Sequence, residues 1–431
     1  LFKSMNEWMN NKIIPTMGKF SNNSFVKSMQ TGMTAPMIAT VVGSIFTIMA
    51  VPPVSATSKN AFVIAWREWS VANASWLNLG IALTINAVAL YALFGFVIDY
   101  SIQKKAKPVN MVVLSKIIFL SLCATLNKGL LTLDNIGSKG LFSAIIIGWL
   151  TVNCGQWLLD HGVKIKLPAT VPPNVAEPIQ ALFMNIIMIG GTYVVVVILG
   201  HFNLVLPNMI NGIFAPLFTA GDSFWAVIIS FFFIRVLWFF GLHGGNIGGA
   251  ILSPFLTQTM VENISAYAKG QTPPHIFTLV FHQTWGSMGM LAICIALMIF
   301  CRSKQLRAIS AIGLVPALFN IGEPITFGLP LVLNFNIVIP YLIIFPLDGG
   351  AAWLATKMGL MARTFINVPS TVPAIFKVFL SNLDWRSVVV YLVLLVIDVI
   401  IFAPFLKSYD KRLLADEKLE AVKLNRKDAG I

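Results

Sequence analysis

Ten separate stretches of about 18–23 mostly apolar residues decide what this chain can fold into. They run over roughly 33–51, 76–98, 109–126, 139–159, 179–200, 223–242, 246–265, 280–301, 335–356 and 387–406, those at 246–265 and 280–301 being the weakest. A helix rising 1.5 Å per residue needs about 20 apolar residues to cross a hydrocarbon core about 30 Å thick, so each stretch is long enough. The chain is 57% hydrophobic and only 11% charged, whereas soluble domains carry about 25% charged residues. Lipid is the solvent that accommodates the excess. Within lipid a helix satisfies its own N–H and C=O groups, and the fold class that follows is an all-α polytopic membrane protein.

Loop charge orients the spans. Lys104, Lys105 and Lys107 follow the second stretch, Lys164 and Lys166 the fourth, Arg302, Lys304 and Arg307 the eighth, and Lys407, Lys411 and Arg412 the last. With the N-terminus inside, every even span ends in the cytoplasm and all four clusters obey the positive-inside rule. The parity requires that 246–265 crosses and that 308–334 does not. Ten crossings with both termini cytoplasmic are therefore expected, with Lys357, Arg363 and Lys377 fitting poorly unless another re-entrant segment holds them. The polar stretch to Lys27, dotted with Lys3, Lys12 and Lys19, reads as interfacial or cytoplasmic, and no signal peptide is expected. The tail from Lys407 reads as a solvated helix end and not as a docking element.

Composition removes other classes. The net charge of +13 is what cytoplasmic Lys/Arg loops produce, and no arginine–aromatic interleaving points to nucleic acid. Cys123, Cys154, Cys294 and Cys301 lie in or beside apolar stretches without CxxC spacing, so neither a disulfide framework nor a metal site is expected. No GxGxxG or Walker A loop occurs, and with it no nucleotide or other cofactor site.

Segment 308–334 is mostly apolar yet broken by Pro316, Gly322, Pro324, Gly328 and Pro330, and it contains Glu323. Irregular backbone at membrane depth survives only inside protein or along a cavity, so this segment predicts a re-entrant hairpin lining a polar site. Glu323, in Asn320-Ile321-Gly322-Glu323-Pro324-Ile325, stands where the helix must open and can accept from a polyhydroxy ligand; the plainer reading is a carboxylate paired with Arg. His243 stands in Gly241-Leu242-His243-Gly244-Gly245-Asn246, where Gly244 and Gly245 let backbone approach a ligand closely; a satisfied core histidine is the alternative. Trp238 offers an apolar face to a sugar ring or else an interfacial anchor. His282 and Gln283 can both hydrogen-bond hydroxyls. Arg235 reads as a structural partner for a buried carboxylate or helix-end carbonyls, with Asp348 and Asp398 as available acids. The echo of the 321–325 motif at 175–179, with Glu177, is too short to mark a repeat.

The segments 241–246, Thr272-Pro273-Pro274-His275, Ser303-Lys304-Gln305-Leu306 and NIGEPITFGLPLVLN at 320–334 resemble the membrane-embedded IIC permease subunit of the phosphoenolpyruvate-dependent sugar phosphotransferase system, lactose/cellobiose/diacetylchitobiose branch. Asp384-Trp385-Arg386 and Tyr409-Asp410-Lys411 fit as well. The resemblance implies ten transmembrane helices, two re-entrant hairpins and a homodimer in the bacterial inner membrane. It implies an N-terminal half (1–200) for dimerisation, a sugar-binding half (201–406) and a cytoplasmic tail (407–431). Glu323 and His243 would flank the sugar hydroxyl that accepts the phosphoryl group, with Asn246 and Asn320 holding the ring. The donor would be a phosphocysteine on a IIB subunit charged through IIA, and no phosphorylated residue of this chain's own is expected. Ser370 replaces a Trp of the cellobiose-branch pattern, and His282 with Gln283 replaces an acidic position, which leaves the sugar open. An ion-coupled secondary sugar transporter, with Glu323 or His243 as coupling group, is the competing reading.

Overall fold

The structure is a computed structural model that describes residues 23–52, 59–127, 130–132, 135–168, 171–329, 331, 334, 337–370 and 372–428; the side chains of 126, 127, 130, 131, 173, 174, 177, 215–219, 250, 323, 327, 416 and 418–428 lie outside that description. The lysine-dotted stretch to residue 22 and parts of 330–336 are thus outside it, as are the side chains of Glu177 and Glu323. The described chain divides into two units, one made of residues up to Ala220 with Gly249–His275, the other of Gly221–Gly248 with residues from Ile276 onward.

Apart from a short antiparallel hairpin, β1 (Thr125–Asn127) with β2 (Leu130–Thr132), the first unit is helical. Its helices are α1 (Ser24–Thr34), α2 (Met37–Ala50), α3 (Ala61–Ala72), α4 (Ala74–Thr84), α5 (Val88–Gln103), α6 (Pro108–Cys123), α7 (Leu141–Asp160), α8 (Pro173–Gln180), α9 (Leu182–His201) and α10 (Leu206–Gly221). Asn23 starts α1 by accepting from the N–H groups of Phe25 and Val26, the usual role of an Asn at a helix N-cap. Pro108 opens α6 at a position where no N–H is missed. A Cβ on Gly32 would come within 2.8 Å of Phe96 Cβ, so glycine lets α1 lie against α5. Asp99 on α5 accepts from Ser28 Oγ at 2.6 Å, tying the same two helices. By contrast α9 is apolar almost all round, and only 11% of its most apolar window is buried. A helix of that composition requires lipid or another protein surface as its neighbour.

In the second unit come α11 (Phe224–Phe239), the first turn of α12 (Gly244–Ala268), α13 (Leu279–Trp285), α14 (Met288–Phe300), α15 (Lys304–Leu318), α16 (Glu323–Gly328), α17 (Val338–Lys357), α18 (Ala374–Leu380) and α19 (Trp385–Asp428). Helices α11 and α17 pack face to face because the ring of Phe231 fills the space a side chain at Gly349 would need. Helix α14 contacts α15, α17 and α19; Gly289 admits the Phe345 ring and Gly313 brings α15 to within 3.2 Å of Cys294 Sγ, measured from an added Cβ.

Among the described residues, seven helical segments are long and apolar enough to cross a membrane: Ser24–Ala50, Ala74–Gln103, Ser138–Asp160, Leu182–His201, Leu279–Phe300, Val338–Lys357 and Trp385–Ala415. Pro108–Cys123 and Phe224–Phe239 are shorter apolar helices. The weak stretch 246–265 folds as the 25-residue α12. The interruption expected within 308–334 falls at residues 319–322, between α15 and α16, where Asn320 takes a left-handed φ of 64°. The tail differs from a solvated helix end. Asp410 accepts from the N–H groups of Arg302 and Ser303 at 3.0 and 2.8 Å, and Glu417 accepts from Ser303 Oγ at 2.6 Å. These carboxylates meet the otherwise unsatisfied N–H groups that begin α15.

Candidate functional site

Three chain breaks of the second unit converge on a cavity of about 170 Å³. Helix α11 supplies Arg235 and Trp238, the turn into α12 supplies His243 and Gly245, the α13–α14 break supplies Ser287 with Met290 behind it, and the α15–α16 break supplies Asn320, Gly322 and Thr326.

The α11–α12 turn depends on its glycines. Gly241 has φ 78°, a conformation that ends α11 cheaply. A Cβ on Gly244 would come within 2.7 Å of Trp238 Cδ1 and collide with the carbonyl of Ile234. The turn brings the rings of Trp238 and His243 to 4.4 Å between centroids. His243 caps α12, its Nδ1 accepting the N–H of Asn246 at 3.1 Å. An accepting Nδ1 places the proton of the neutral ring on Nε2.

Arg235 fixes the second break. Its guanidinium lies 3.5 Å from the centroid of Phe345, donates to the carbonyl of Gly286, and lies 3.4 Å from Tyr341 Oη. That is the helix-end carbonyl role anticipated from sequence. Holding Gly286 presents Ser287, whose Oγ lies 3.0 Å from Asn320 Oδ1. Asn320 in turn donates through Nδ2 to the carbonyls of Ser370 and Val372, at 2.8 and 2.9 Å. One carboxamide therefore joins two breaks and the segment before α18. The acids weighed as partners for Arg235 make no ion pair with it among the described residues: Asp348 on α17 and Asp398 on α19 are both buried, and the Oδ2 atom of each lacks a hydrogen-bond partner there.

Of the residues singled out in the sequence, Trp238, His243, Gly245 and Asn320 line the cavity, and Gly244 and Asn246 belong to the same turn. Glu323 opens α16 beside Gly322, its side chain being outside the description. Gln283 lies one turn before Ser287, and its Oε1 accepts from Lys377 Nζ at 3.2 Å. His282 is away from the lining, stacked 5.0 Å from Phe231, with Nε2 lacking a hydrogen-bond partner among the described residues. Sequence reasoning missed Ser287, Thr326 and Lys377. A topological misfit was the one signal attached to Lys377, a lysine that proves fully buried.

The family described as phosphotransferase system, EIIC matches residues 30–344. The chain belongs to that family. An oligo-beta-mannoside-specific EIIC component of Bacillus subtilis (strain 168) is 30% identical over 420 residues, covering 95% of each chain. A cellobiose-specific EIIC component of Geobacillus stearothermophilus is 25% identical over 443 residues and 96% of each. A lactose-specific EIICB component of Lacticaseibacillus casei is 27% identical over 94% of this chain and 71% of its own length. The crystal structure of ChbC, the IIC component of an N,N'-diacetylchitobiose-specific phosphotransferase system, superposes with a TM-score of 0.86 at 29% identity, over 95% of this chain and 99% of that one. This EIIC chain is accordingly a helical, multi-pass membrane protein, as its apolar runs predict.

Proposed function

We propose that this EIIC chain carries an oligosaccharide or disaccharide across the bacterial inner membrane while a IIB partner, charged through IIA, phosphorylates it. Relatives named for oligo-beta-mannoside, cellobiose, lactose and diacetylchitobiose support the cargo class, and the relative named EIICB supports the IIB partner. The observation that carries the site assignment is the convergence of Trp238, His243, Ser287 and Asn320 on one cavity beside the Gly322–Glu323 break. Neither the fold nor the relatives favour the ion-coupled alternative.

In this reading the indole of Trp238 faces the apolar side of a sugar ring, while the Asn320 carboxamide and the backbone of Gly245 and Asn246 shape its polar rim. Gln283 and His282 act from behind that rim. His243, with Nδ1 engaged, offers Nε2–H as a donor to the acceptor hydroxyl. As that hydroxyl attacks phosphorus, the P–S bond of the IIB phosphocysteine breaks and the cysteine leaves as thiolate, while the hydroxyl's proton passes to Glu323, a general-base role that suits a carboxylate at a helix break. Phosphoryl transfer needs mainly positioning and charge stabilisation, and holding the hydroxyl in line removes much of the entropy of a bimolecular encounter.

The remaining assignments follow the family. Residues 1–200 serve dimerisation, and the uncovered apolar surface of α9 supports a homodimer. Residues 201–406 hold the sugar and 407–431 are cytoplasmic, as are both termini; the exposed cations Lys104, Lys164, Arg302 and Lys411 support that orientation. Glu323→Gln and His243→Ala are expected to abolish or strongly weaken sugar binding in calorimetry on purified, folded protein, across a panel of cellobiose, lactose, mannobiose and diacetylchitobiose. Unchanged affinity in both variants would show that the site lies elsewhere.

A further inference from the structure

Helix α11 presents Phe231 and Arg235, one turn apart, to the break that separates α13 from α14. Phe231 closes on the backbone of Gly286: a Cβ there would come within 2.9 Å of the ring and 2.6 Å of the His282 carbonyl oxygen. Arg235 takes the carbonyl of the same glycine. In an unbroken helix that carbonyl would accept the N–H of Met290, four residues on. Here the Met290 N–H bonds to the carbonyl of Ser287 instead, at 3.1 Å. The break therefore leaves one acceptor without its helical donor, and a guanidinium meets it.

That guanidinium is buried, and its partners among the described residues are the Gly286 carbonyl, the Tyr341 hydroxyl at 3.4 Å and the Phe345 ring, 3.5 Å from centroid to guanidinium, with no carboxylate among them. Burying a charge costs stability unless it is paired and hydrogen-bonded, so the position calls for a use beyond packing. The use lies one residue on. Ser287 Oγ stands 3.0 Å from Asn320 Oδ1, while Asn320 Nδ2 donates to the carbonyls of Ser370 and Val372. Carbonyls only accept, so the carboxamide cannot turn over, and Oδ1 is kept on the side of Ser287; both residues line the cavity. We propose that Arg235 is a positioning residue for sugar recognition: by holding the Gly286 carbonyl it sets Ser287 against Asn320, and so fixes the acceptor that Asn320 Oδ1 presents to a sugar hydroxyl. The role is one of geometry, a flat fork lying on a ring with a donor aimed at one carbonyl, and not of charge offered to a ligand. It deepens the reading of this cavity as the sugar site and rests on it.

The test is a double-mutant cycle of Arg235→Lys and Ser287→Ala, read by calorimetry on the purified full-length protein with cellobiose, lactose, mannobiose and diacetylchitobiose as titrants. Lysine keeps the charge and loses the planar fork. Each single variant is expected to weaken binding about tenfold, the upper range for one net hydrogen bond, and the double variant to lie within about twofold of the weaker single one, because both break the same relay. A double loss of about a hundredfold would show that the two residues act independently and would overturn the relay. Wild-type affinity in Arg235→Lys would overturn it too, whether or not thermal unfolding of that variant falls, since charge or packing would then suffice. Should Arg235→Lys fail to fold, Ser287→Ala decides, because it leaves every Arg235 contact in place and cuts the link to Asn320: unaltered affinity overturns the relay, and a tenfold loss upholds it. His243→Ala and Glu323→Gln are scored beside the cycle. Binding lost in those two but intact in Arg235→Lys and Ser287→Ala removes the relay and leaves the sugar site standing; affinity unchanged in all four removes the site reading itself.

Discussion

At the scale of single residues, Asn320 concentrates more of the site than any other described side chain. Its left-handed backbone lets α15 stop, its Oδ1 meets Ser287, and its Nδ2 holds two carbonyls of the segment before α18. Asn320→Gly keeps the backbone conformation and removes all three contacts, so it isolates their contribution. It is expected to lower sugar affinity at least tenfold and to cost about 2 kcal/mol of stability, the usual penalty for stranding partly buried acceptors; calorimetry and thermal unfolding of the purified variant read the two effects. Retained affinity would confine Asn320 to a scaffold role. His243 was legible in the sequence as a polar residue beside Gly244 in an apolar surround, where membrane physics tolerates it only for a reason; Trp238 was legible as an aromatic five residues before it, and Asn320 through the resemblance to the IIC family. Ser287 and Lys377 were not. A serine inside an apolar helix is ordinary, and nothing local announces that Gly286 is held open by Arg235, 51 residues away in sequence.

At the scale of elements, the apolar runs located the helices well, because length and hydropathy are set by the bilayer and not by tertiary detail. The stretch at 280–301 resolved into α13 and α14 with a break at Gly286, where the Phe231 ring comes within 2.9 Å of an added Cβ. Gly349→Leu should be among the most damaging substitutions in the second unit, since the side chain would occupy the volume of the Phe231 ring. A loss of about 3 kcal/mol or more is expected from overpacking at this contact, seen as loss of monodisperse protein on size exclusion; a well-behaved variant would contradict the α11–α17 packing. The docked tail escaped sequence reading because alternating Lys, Asp and Glu at helical spacing look the same whether solvated or capping a neighbour. Its acidity gives it a pH signature. The hydrogen bond from Ser303 Oγ holds the Glu417 carboxyl below its ordinary value of 4.5. A depressed carboxylate stabilises the folded arrangement above its unfolded pKa, and that contribution fades as pH falls through the lower folded value. Amide protection at 303–306 is thus expected to be full at neutral pH and to weaken only below about 4.5, and Ser303→Ala should abolish the pH dependence. Protection that is unchanged in Ser303→Ala would mean that Glu417 does not cap α15.

At the scale of the whole molecule, family membership and the match to a IIC transporter turn a set of apolar helices into a permease whose cargo is altered as it crosses. What membership does not specify is the sugar. Ser370, whose carbonyl Asn320 holds, departs from the cellobiose-branch pattern at the edge of the site, so the panel of named disaccharides is the route to the cargo. Coupling of transport to phosphorylation is the decisive property, and one measurement reads it directly: radiolabelled sugar uptake into vesicles bearing this chain, with and without phosphorylated IIB, and with and without an uncoupler. Accumulation of phosphorylated sugar that requires IIB and survives the uncoupler is the result predicted here. Accumulation of unmodified sugar that needs no IIB and collapses with the ion gradient would contradict it.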